Sequence, residues 1–488
     1  MAKGKAIVIG GGVAGLAAAI RLKIQGWQVD LFEASDQLGG KMGELEKDGY
    51  RWDSGPSLFT MPQFVEELFA LHNKKMTDYI PYKKKSVVCN YFWDDGETFS
   101  MSAQPDKAYQ ELAEKFNEAP EKLRSYFDRS LEKYQLTSPL FIENSLHLWK
   151  NYLKKDTFRA LAKFPRLEIN ESLDQVNRKW FNHPKLIQLL NRFATYNGSS
   201  PYQTSGIMSM IPALEMHFGT YFPKNGMRSI AEGMHKLAEE VGVAIHLEKK
   251  VDRILVEKNA VQGVQSENES HQADVVVSNM DVFFSYQQLL NDAEAAKNVE
   301  KHERSSSALI FYWGVKQSFP QLDLHNIFFS EDYEAEFKSL FKTKDFADDL
   351  TVYLNISSKD KPDDAPEGRE NWFVMVNAPE NNGQDWVALK EKARALIIKK
   401  LDRILNIDLE DLIECELVLD PLTIEQNTQS YKGSLYGTSS NSRNAAFLRQ
   451  PNFSKKYQNL YFCGGSAHPG GGIPLCLQSA KITAKMIN

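Results

Sequence analysis

The stretch Ala6–Glu33, AIVIGGGVAGLAAAIRLKIQGWQVDLFE, constrains the fold of this chain more than any other. Ala6-Ile7-Val8-Ile9 is an unbroken apolar run of strand length, as a buried parallel strand requires. Gly10, Gly12 and Gly15 follow as G-x-G-x-x-G at the point where that strand must turn into a helix. Their tasks differ: Gly10 permits the tight turn, Gly12 lets the backbone approach a pyrophosphate, and Gly15 lets the helix pack close to the strand. The helix that opens over Val13 and Ala14 offers unpaired N–H groups and a positive dipole end to the phosphates. It runs without further Gly or Pro until Gly26. Val29–Phe32 is then a second apolar strand, ending on Glu33, an acid about 20 residues past the turn and suited to ribose hydroxyls. Ala6–Ile20 is not read as a secretory leader, because it is broken by glycines, lacks a cleavage pattern and continues into this strand.

A second turn follows at Leu38-Gly39-Gly40-Lys41, and then Asp53-Ser54-Gly55-Pro56-Ser57. Alone, the first would be a surface turn with a solvated lysine. Behind the upstream glycine turn it brings backbone amides and a cation to the second phosphate of a dinucleotide, which a plain nicotinamide-binding unit does not require. At the other end of the chain, Leu460–Phe462 is another strand, followed by Cys463, Gly464 and Gly465 and then by Ser466-Ala467-His468-Pro469-Gly470-Gly471-Gly472-Ile473-Pro474 before a helix. Two strand–glycine–helix turns facing one ligand hold a molecule with two ends, one nucleotide and one isoalloxazine. That pattern points to FAD rather than NAD.

At 488 residues the chain accommodates two or three domains. Its 58 basic and 64 acidic residues give a net charge of -6, which argues against nucleic acid as a partner. Cys89, Cys415, Cys463 and Cys476 are scattered without a C-x-x-C pair, so a reducing, cytoplasmic setting is expected, with no metal site and no disulfide framework. No apolar run reaches the roughly 18 residues of a spanning helix, so the expectation is a soluble or peripheral protein.

Between the glycine turns the chain changes character twice. Tyr50–Ser100 alternates turns with short β-like runs, among them Val87–Trp93 before Asp94-Asp95-Gly96, and leads into a second domain. From Asp106 to Asn191 the periodicity is helical and charged. Within it Leu148, Trp149, Tyr152, Leu153, Phe158, Leu161 and Ala162 recur at near-helical spacing, interleaved with Lys150, Lys154, Lys155, Arg159, Lys163 and Arg166. A basic amphipathic helix of this kind either lies in a membrane interface or packs one face on its own domain, and periodicity supports both. Arg192–Pro201, RFATYNGSSP, is a polar turn, and Tyr221–Met227, YFPKNGM, breaks the chain before a helix carrying Ile230, Met234, Leu237 and Ala238. Ala244–Leu247, Val251–Val256, Val261–Val264 and Ala273–Ser278 are consecutive strands, with Val251 at a strand end where main-chain groups meet adenine. Ser305–Val315 and Thr351–Ser357 carry Phe311, Tyr312, Trp313 and Tyr353, as suits a second sheet lining an apolar cavity. Lys359–Asn371 is a polar loop whose charges are expected to face solvent, and Ala388–Leu405 is a helix.

Taken together, GGGVAG, EASDQLGGKM, DSGPSLFTMP, the YFPKNGM break and FCGGSAHPGGGIP resemble the bacterial-type phytoene desaturase family of carotenoid flavoenzymes, within the wider amine oxidase-like FAD superfamily. The resemblance covers nearly the whole chain. His468–Pro474 is similar to the family's HPG-x-G-[IV]-P signature beside the flavin. Gly39-Gly40-Lys41, where many phytoene desaturases carry GGR, together with GPSLFTMPQ and SLYGTSSN at Ser434–Asn441, is most similar to the 1-hydroxycarotenoid 3,4-desaturase branch.

The resemblance implies an α/β flavoenzyme with a discontinuous, Rossmann-type FAD-binding domain, a mixed-sheet substrate domain and a helical, membrane-associated insertion. The expected division is 1–75, 206–285 and 415–488 for FAD, 76–105 and 286–414 for substrate, and 106–205 for the insertion. It also implies dehydrogenation of an acyclic carotenoid taken from a membrane surface, with hydride passing to the flavin and the terminal electron acceptor unspecified. Gly10, Gly12, Val13, Ala14, Gly15, Glu33, Gly39, Gly40, Lys41, Gly55, Pro56, Ser57, Val251, Gly464, Gly465, Gly472, Ile473 and Pro474 are the expected cofactor-binding positions. His468 and Arg192 are the candidate catalytic residues: His468 as an acid/base or as a lock on its own loop, Arg192 with Tyr196 as a partner for a hydroxyl end group or as a pin for its own turn. Rival readings are a phytoene desaturase or carotene isomerase of the same fold, and a soluble amine oxidase.

Overall fold

A computed structural model describes residues 3–153, 157, 163–442, 445 and 449–487. In chain order, β1 (Lys5–Ile9) leads into α1 (Val13–Ile24) and β2 (Gln28–Phe32). β3 (Val87–Phe92) and β4 (Thr98–Ser102) form a hairpin before a helical stretch that includes α2 (Pro105–Phe116), α3 (Pro120–Thr137), α4 (Leu173–Trp180) and α5 (Pro184–Asn191). α6 (Arg228–Glu240) precedes β5 (Ala244–His246), and then come β6 (Val251–Glu257), β7 (Ala260–Ser266), β8 (Glu269–Gln272) and β9 (Val275–Ser278). β10 (Ser307–Val315), β11 (His325–Phe328), β12 (Val352–Ile356), β13 (Glu370–Ala378), α7 (Trp386–Leu405) and β14 (Ile413–Leu419) follow. β15 (Leu460–Phe462) and α8 (Ile473–Met486) complete the set.

The nucleotide sheet has five parallel strands in the order β5-β2-β1-β9-β15, so segments far apart in sequence are neighbours in space. Register pairs Ile9 with Phe32 on one side and Ser278 on the other, bringing the three strand ends level. Both faces of this sheet are covered, which is why its strands are continuously apolar. Ala6, Val8, Leu31 and Val277 pack with Leu16, Ile20, Ile230, Met234 and Leu477 of α1, α6 and α8. Ile7, Ile9, Phe32 and Val276 pack on the other side with Val251, Ile254 and Val264 of the β6–β7–β8 meander.

The second sheet has seven strands in the order β14-β10-β13-β12-β11-β3-β4, antiparallel except for the β11–β3 pair. Period-two alternation sorts its side chains. Leu309, Phe311 and Trp313 of β10 face the core under α7 with Ile397 and Leu401, whereas Ala308, Ile310 and Tyr312 face Tyr50, Trp52 and Phe373. A division at residue 415 falls inside β14, which is bonded along β10, so residues 413–419 belong to the seven-stranded sheet.

The helical stretch does not stand apart. Leu112, Phe116, Phe127, Leu189 and Phe193 share one core with Tyr91, Trp93 and Phe329 of the seven-stranded sheet and its loops. Of the amphipathic helix expected over 148–166, the described ends are 3-10 turns, Trp149–Leu153 and Phe164–Leu167; Lys154, Lys155, Phe158, Arg159, Leu161 and Ala162 lie outside the described residues. Trp149, Tyr152 and Leu153 are 75%, 51% and 65% exposed. Among the described residues no helix is long and apolar enough to cross a membrane. The loop after β12 departs from expectation in part: Asp363, Glu367 and Arg369 are exposed as expected, but other charges of the loop are paired and buried. Asp364 is fully buried against Arg51 and Lys361, and Lys359 meets the buried Glu370 at 2.6 Å.

Candidate active site at the strand ends

The C-terminal ends of β1, β9 and β15 meet around three glycine turns. Gly10 leaves β1 at φ 91°, where a side chain would be strained, and its N–H donates to Phe32 O at 2.8 Å. Gly12 precedes α1 without a side-chain cap, so no side chain competes for the first-turn amides of Val13, Ala14 and Gly15. The second turn lies directly on the first: Gly39 bridges Gly12, its N–H donates to Gly11 O at 2.9 Å, and a Cβ on Gly40 would stand 3.2 Å from Gly12 Cα. Stacked glycine turns leave main-chain amides as the surface presented to a phosphate.

Glu33 is fixed beside them. Its Oε2 accepts from the Gly11 N–H at 2.7 Å, and its Oε1 accepts from the N–H and hydroxyl of Ser35 at 3.0 and 3.1 Å. The carboxylate has lone pairs left for ribose hydroxyls. Phe32 stacks on His246 with centroids 4.6 Å apart, and Val251 packs behind Phe32 in the same cluster. This side of the sheet therefore suits the adenosine half.

The second turn is held from below by residues that the sequence alone does not single out. Arg228 donates through Nη1 to Leu38 O at 2.5 Å and Met42 O at 3.1 Å. The Asp53 carboxylate accepts from the N–H groups of Met227 and Arg228 at 2.9 and 3.2 Å, supplying an anion to the N-terminus of α6. Asn279, one residue past β9, donates to Cys463 O at 3.1 Å and fills the space between Gly12, Gly15 and Gly464. Its signal in the sequence is a single amide directly after the apolar strand Val275–Ser278.

Gly55 packs against the Lys41 carbonyl, and Ser54–Ser57 forms the seam with the seven-stranded sheet. Tyr312 donates its hydroxyl to Ser54 O at 2.7 Å, and Ser57 Oγ shares a 2.8 Å hydrogen bond with Tyr353 Oη. Tyr353 Oη is also 2.8 Å from His325 Nδ1, to which Asn355 Nδ2 donates at 3.2 Å. Burial pushes His325 down to about 3, so it is a neutral acceptor at the end of this polar line.

At the far side, Gly464 (φ 106°) and Gly472 (φ 96°) bend the last loop, with Gly465 between them in sequence, and Ile473 and Pro474 open α8 without a side-chain cap. Strand order therefore spreads the site from Glu33 at β2 to the α8 N-terminus beyond β15, the span an extended dinucleotide requires. His468 is 1% exposed and donates through Nε2 to Asn144 O at 3.0 Å. Burial pushes it down to about 3, so it is neutral and ties the last loop to residue 144. Arg192 does not join the strand ends. Its Nη2 meets Glu215 at 2.6 Å, its Nε donates to Tyr91 Oη at 3.0 Å, and Tyr196 donates to the same carboxylate. The guanidinium is bonded through two of its three nitrogens, the residue is 6% exposed, and it pins its own turn.

The donor set fits FAD. Main-chain amides at two stacked glycine turns, an acid at the end of β2 and a helix N-terminus at the opposite end match pyrophosphate, ribose and isoalloxazine. The chain matches the family of flavin containing amine oxidoreductases over residues 13–488. It is 54% identical over 483 residues, 99% of both chains, to a 1-hydroxycarotenoid 3,4-desaturase of Flavobacterium sp. (strain P99-3). It is 33% identical over 492 residues, 99% of this chain and 98% of the other, to a 4,4'-diapolycopene oxygenase of Methylomonas sp. Its fold is similar to that of an oxidoreductase from Methanosarcina mazei, with a TM-score of 0.62 at 16% identity, covering 99% of this chain and 100% of the other. With its FAD cleft built from both ends of one sheet, the chain belongs to the flavin-containing amine oxidoreductases and is a flavoprotein oxidoreductase.

Proposed function

We propose that this enzyme dehydrogenates an acyclic carotenoid, introducing the 3,4 double bond of a 1-hydroxylated end group. The observation that carries the reading is the 54% identity, over 99% of both chains, to a protein named for that reaction. The substrate sheet supports it. Ile310, Tyr312, Tyr353, Phe373, Met375, Leu417 and Leu419 share the sheet face that meets Ser54–Ser57, and Leu435 packs against them. That floor is apolar with few polar groups, as a polyene requires.

Bound FAD supplies the hydride acceptor. The chain's own residues align the polyene and leave one allylic C–H facing the cleft. Loss of the adjacent proton needs no strong base where charge is delocalised along the polyene, and His468 and Arg192 are both occupied elsewhere. We assign them positioning roles, His468 on the glycine loop and Arg192 on the turn beneath Tyr91. The exposed Trp149, Tyr152 and Leu153 beside Lys150 support peripheral docking on a cytoplasmic membrane face, with 106–205 as the docking side. The remaining division, FAD on 1–75 and 206–285 and substrate on 76–105 and 286–414, is proposed with its last boundary moved past β14.

The test is anaerobic incubation of the holoenzyme with a 1-hydroxylated acyclic carotenoid and, separately, with phytoene. Flavin bleaching together with a new 3,4 double bond in the hydroxylated substrate is expected. Bleaching by phytoene, with no 3,4 product from the hydroxylated carotenoid, overturns the assignment.

A further inference from the structure

Two interior cations beside the α8 N-terminus form no ion pair among the described residues. Lys41 is half-buried, and its ammonium donates to Ser434 O at 3.4 Å and Leu435 O at 3.2 Å. Arg449 is 3% exposed, and its guanidinium donates to Tyr436 O at 2.7 Å and Ser440 Oγ at 3.4 Å. Both therefore grip the same short segment, residues 434–436, from different directions. That segment rests on the last glycine loop: a Cβ on Gly471 would stand 2.8 Å from Tyr436 Cα, and one on Gly470 would stand 2.9 Å from Arg449 Cζ. The nearby Arg304 is already matched, with Asp281 at 2.8 Å.

Carbonyl oxygens satisfy the donors of Lys41 and Arg449 but carry no net charge to balance them. Leaving two charges uncompensated in a protein interior is costly, so an anion is expected where they point. The amides suited to pyrophosphate lie at Gly12 and Gly39-Gly40. The Lys41 side chain runs away from that turn toward residues 434–435, and Arg449 lies further still, against Gly470. The α8 N-terminus adds its positive dipole end on the same side.

We propose that Lys41 and Arg449 form an electrostatic seat for the negative charge that the flavin ring gains on accepting hydride. Two electrons and one proton arrive together from the substrate carbon, a C–H bond breaks, and the ring acquires one negative charge. The second proton leaves the neighbouring substrate carbon to water. Lys41 acts from its place over residues 434–435 and Arg449 from behind Tyr436, both through their fields as positioning residues. The seat raises the potential of the bound cofactor, and the alignment of the polyene plays no part in it.

The test uses the FAD-loaded enzyme and no carotenoid, so it stands apart from the substrate assignment. Lys41→Met, Arg449→Met and Lys41→Arg are compared by dye-equilibrated reduction and by titration with sulfite, which adds to oxidised flavin and leaves a negative charge on it. Each Met variant is expected to keep FAD, to bind sulfite at least tenfold more weakly, and to show a potential lower by about 30 mV, the two-electron equivalent of tenfold. Lys41→Arg stays near the parent. Unchanged sulfite affinity and potential overturn the proposal. So does loss of FAD with a parental potential in the flavin that remains, since the cations then serve the pyrophosphate. Should Arg449→Met not fold, Lys41→Met decides alone.

Discussion

Alanine placed singly at Gly12 and at Gly15 separates cofactor binding from folding. At Gly12 the backbone is extended, φ -65° and ψ 172°, which alanine adopts freely. A Cβ there meets only the Asn279 side chain, with Oδ1 at 2.7 Å and Cγ at 3.8 Å. Rotating that amide away sacrifices its hydrogen bond to Cys463 O, about 1 kcal/mol. The methyl group then stands where the pyrophosphate must approach. Losing one charge-assisted hydrogen bond to phosphate costs about 1.5–3 kcal/mol, or roughly 10–150-fold in FAD affinity. At Gly15 nothing can yield. A Cβ lands on the Gly10 carbonyl oxygen, with Gly10 C only 3.1 Å away, and both are backbone at the base of the first turn. Helix α1 has to lift off β1, disturbing Ala6, Val8, Leu16 and Ile20, all fully buried. Overpacking of this kind costs about 1–3 kcal/mol or more and outweighs the ~1 kcal/mol that alanine gains over glycine within a helix. Urea unfolding of the cofactor-free variants, followed by circular dichroism, measures the folding term, and quenching of FAD fluorescence measures binding. Parental FAD affinity in Gly12→Ala, or a parental urea midpoint in Gly15→Ala, refutes the assignment of these two glycines.

Three further outcomes are expected. His325 and His468 are held near 3, below their ordinary value of 6.5, so both stay neutral in the fold while the unfolded chain takes up protons. Their contribution is therefore complete above pH 6.5 and is lost as pH falls, by about 2 kcal/mol each between pH 6.5 and 5. His468→Gln should flatten the pH dependence of the urea midpoint in that window by one proton, and an unchanged slope would contradict the burial argument. Arg192→Met strands the Glu215 carboxylate at 4% side-chain exposure and should destabilise the fold by about 3–5 kcal/mol, with substantial recovery in Arg192→Met/Glu215→Gln; equal loss in the single and double variants would show that the pair is not the cause. Trp149→Ser/Leu153→Ser should reduce co-flotation with anionic liposomes while leaving FAD content unchanged, and undiminished flotation removes this surface as a docking face.

What was legible in the sequence was what depends on local backbone demands. Gly10, Gly12 and Gly15 must be glycine because of how a strand turns into a helix, and that requirement is written within a few residues. The same holds for Gly39-Gly40 and for Gly464 and Gly472. Residues that act across the fold left little trace. Asn279 matters through Cys463, Arg228 through Leu38 and Met42, and Arg449 through Tyr436, and none of these partners is near in sequence. Arg192 looked available because RFATYNGSSP is polar, yet its counter-charge, Glu215, lies on a later helix. The same physics misled at Lys359–Asn371, where a charged loop suggested solvent but Arg51 and Glu370 draw some of its charges inward. At 148–166 the alternation of apolar and basic residues proposed a single α-helix, and the described ends form tighter turns.

Strand order in the nucleotide sheet also fixes a sequence of events during synthesis. β9 and β15 are hydrogen-bonded neighbours, but every strand from β10 to β14 is translated between them. A nascent chain therefore carries every strand of its seven-stranded sheet while the FAD cleft still lacks one wall. Glu33, Gly12 and Gly40 can gather early, but the loop at Gly464 and the helix behind it arrive only once residues 460–486 have emerged. FAD is then expected to bind late, once the wall supplied by β15 and α8 is in place. Ribosome-bound chains stalled before β15 should stay colourless in the presence of FAD, and the yellow of the bound flavin should develop only as the last strand docks beside β9.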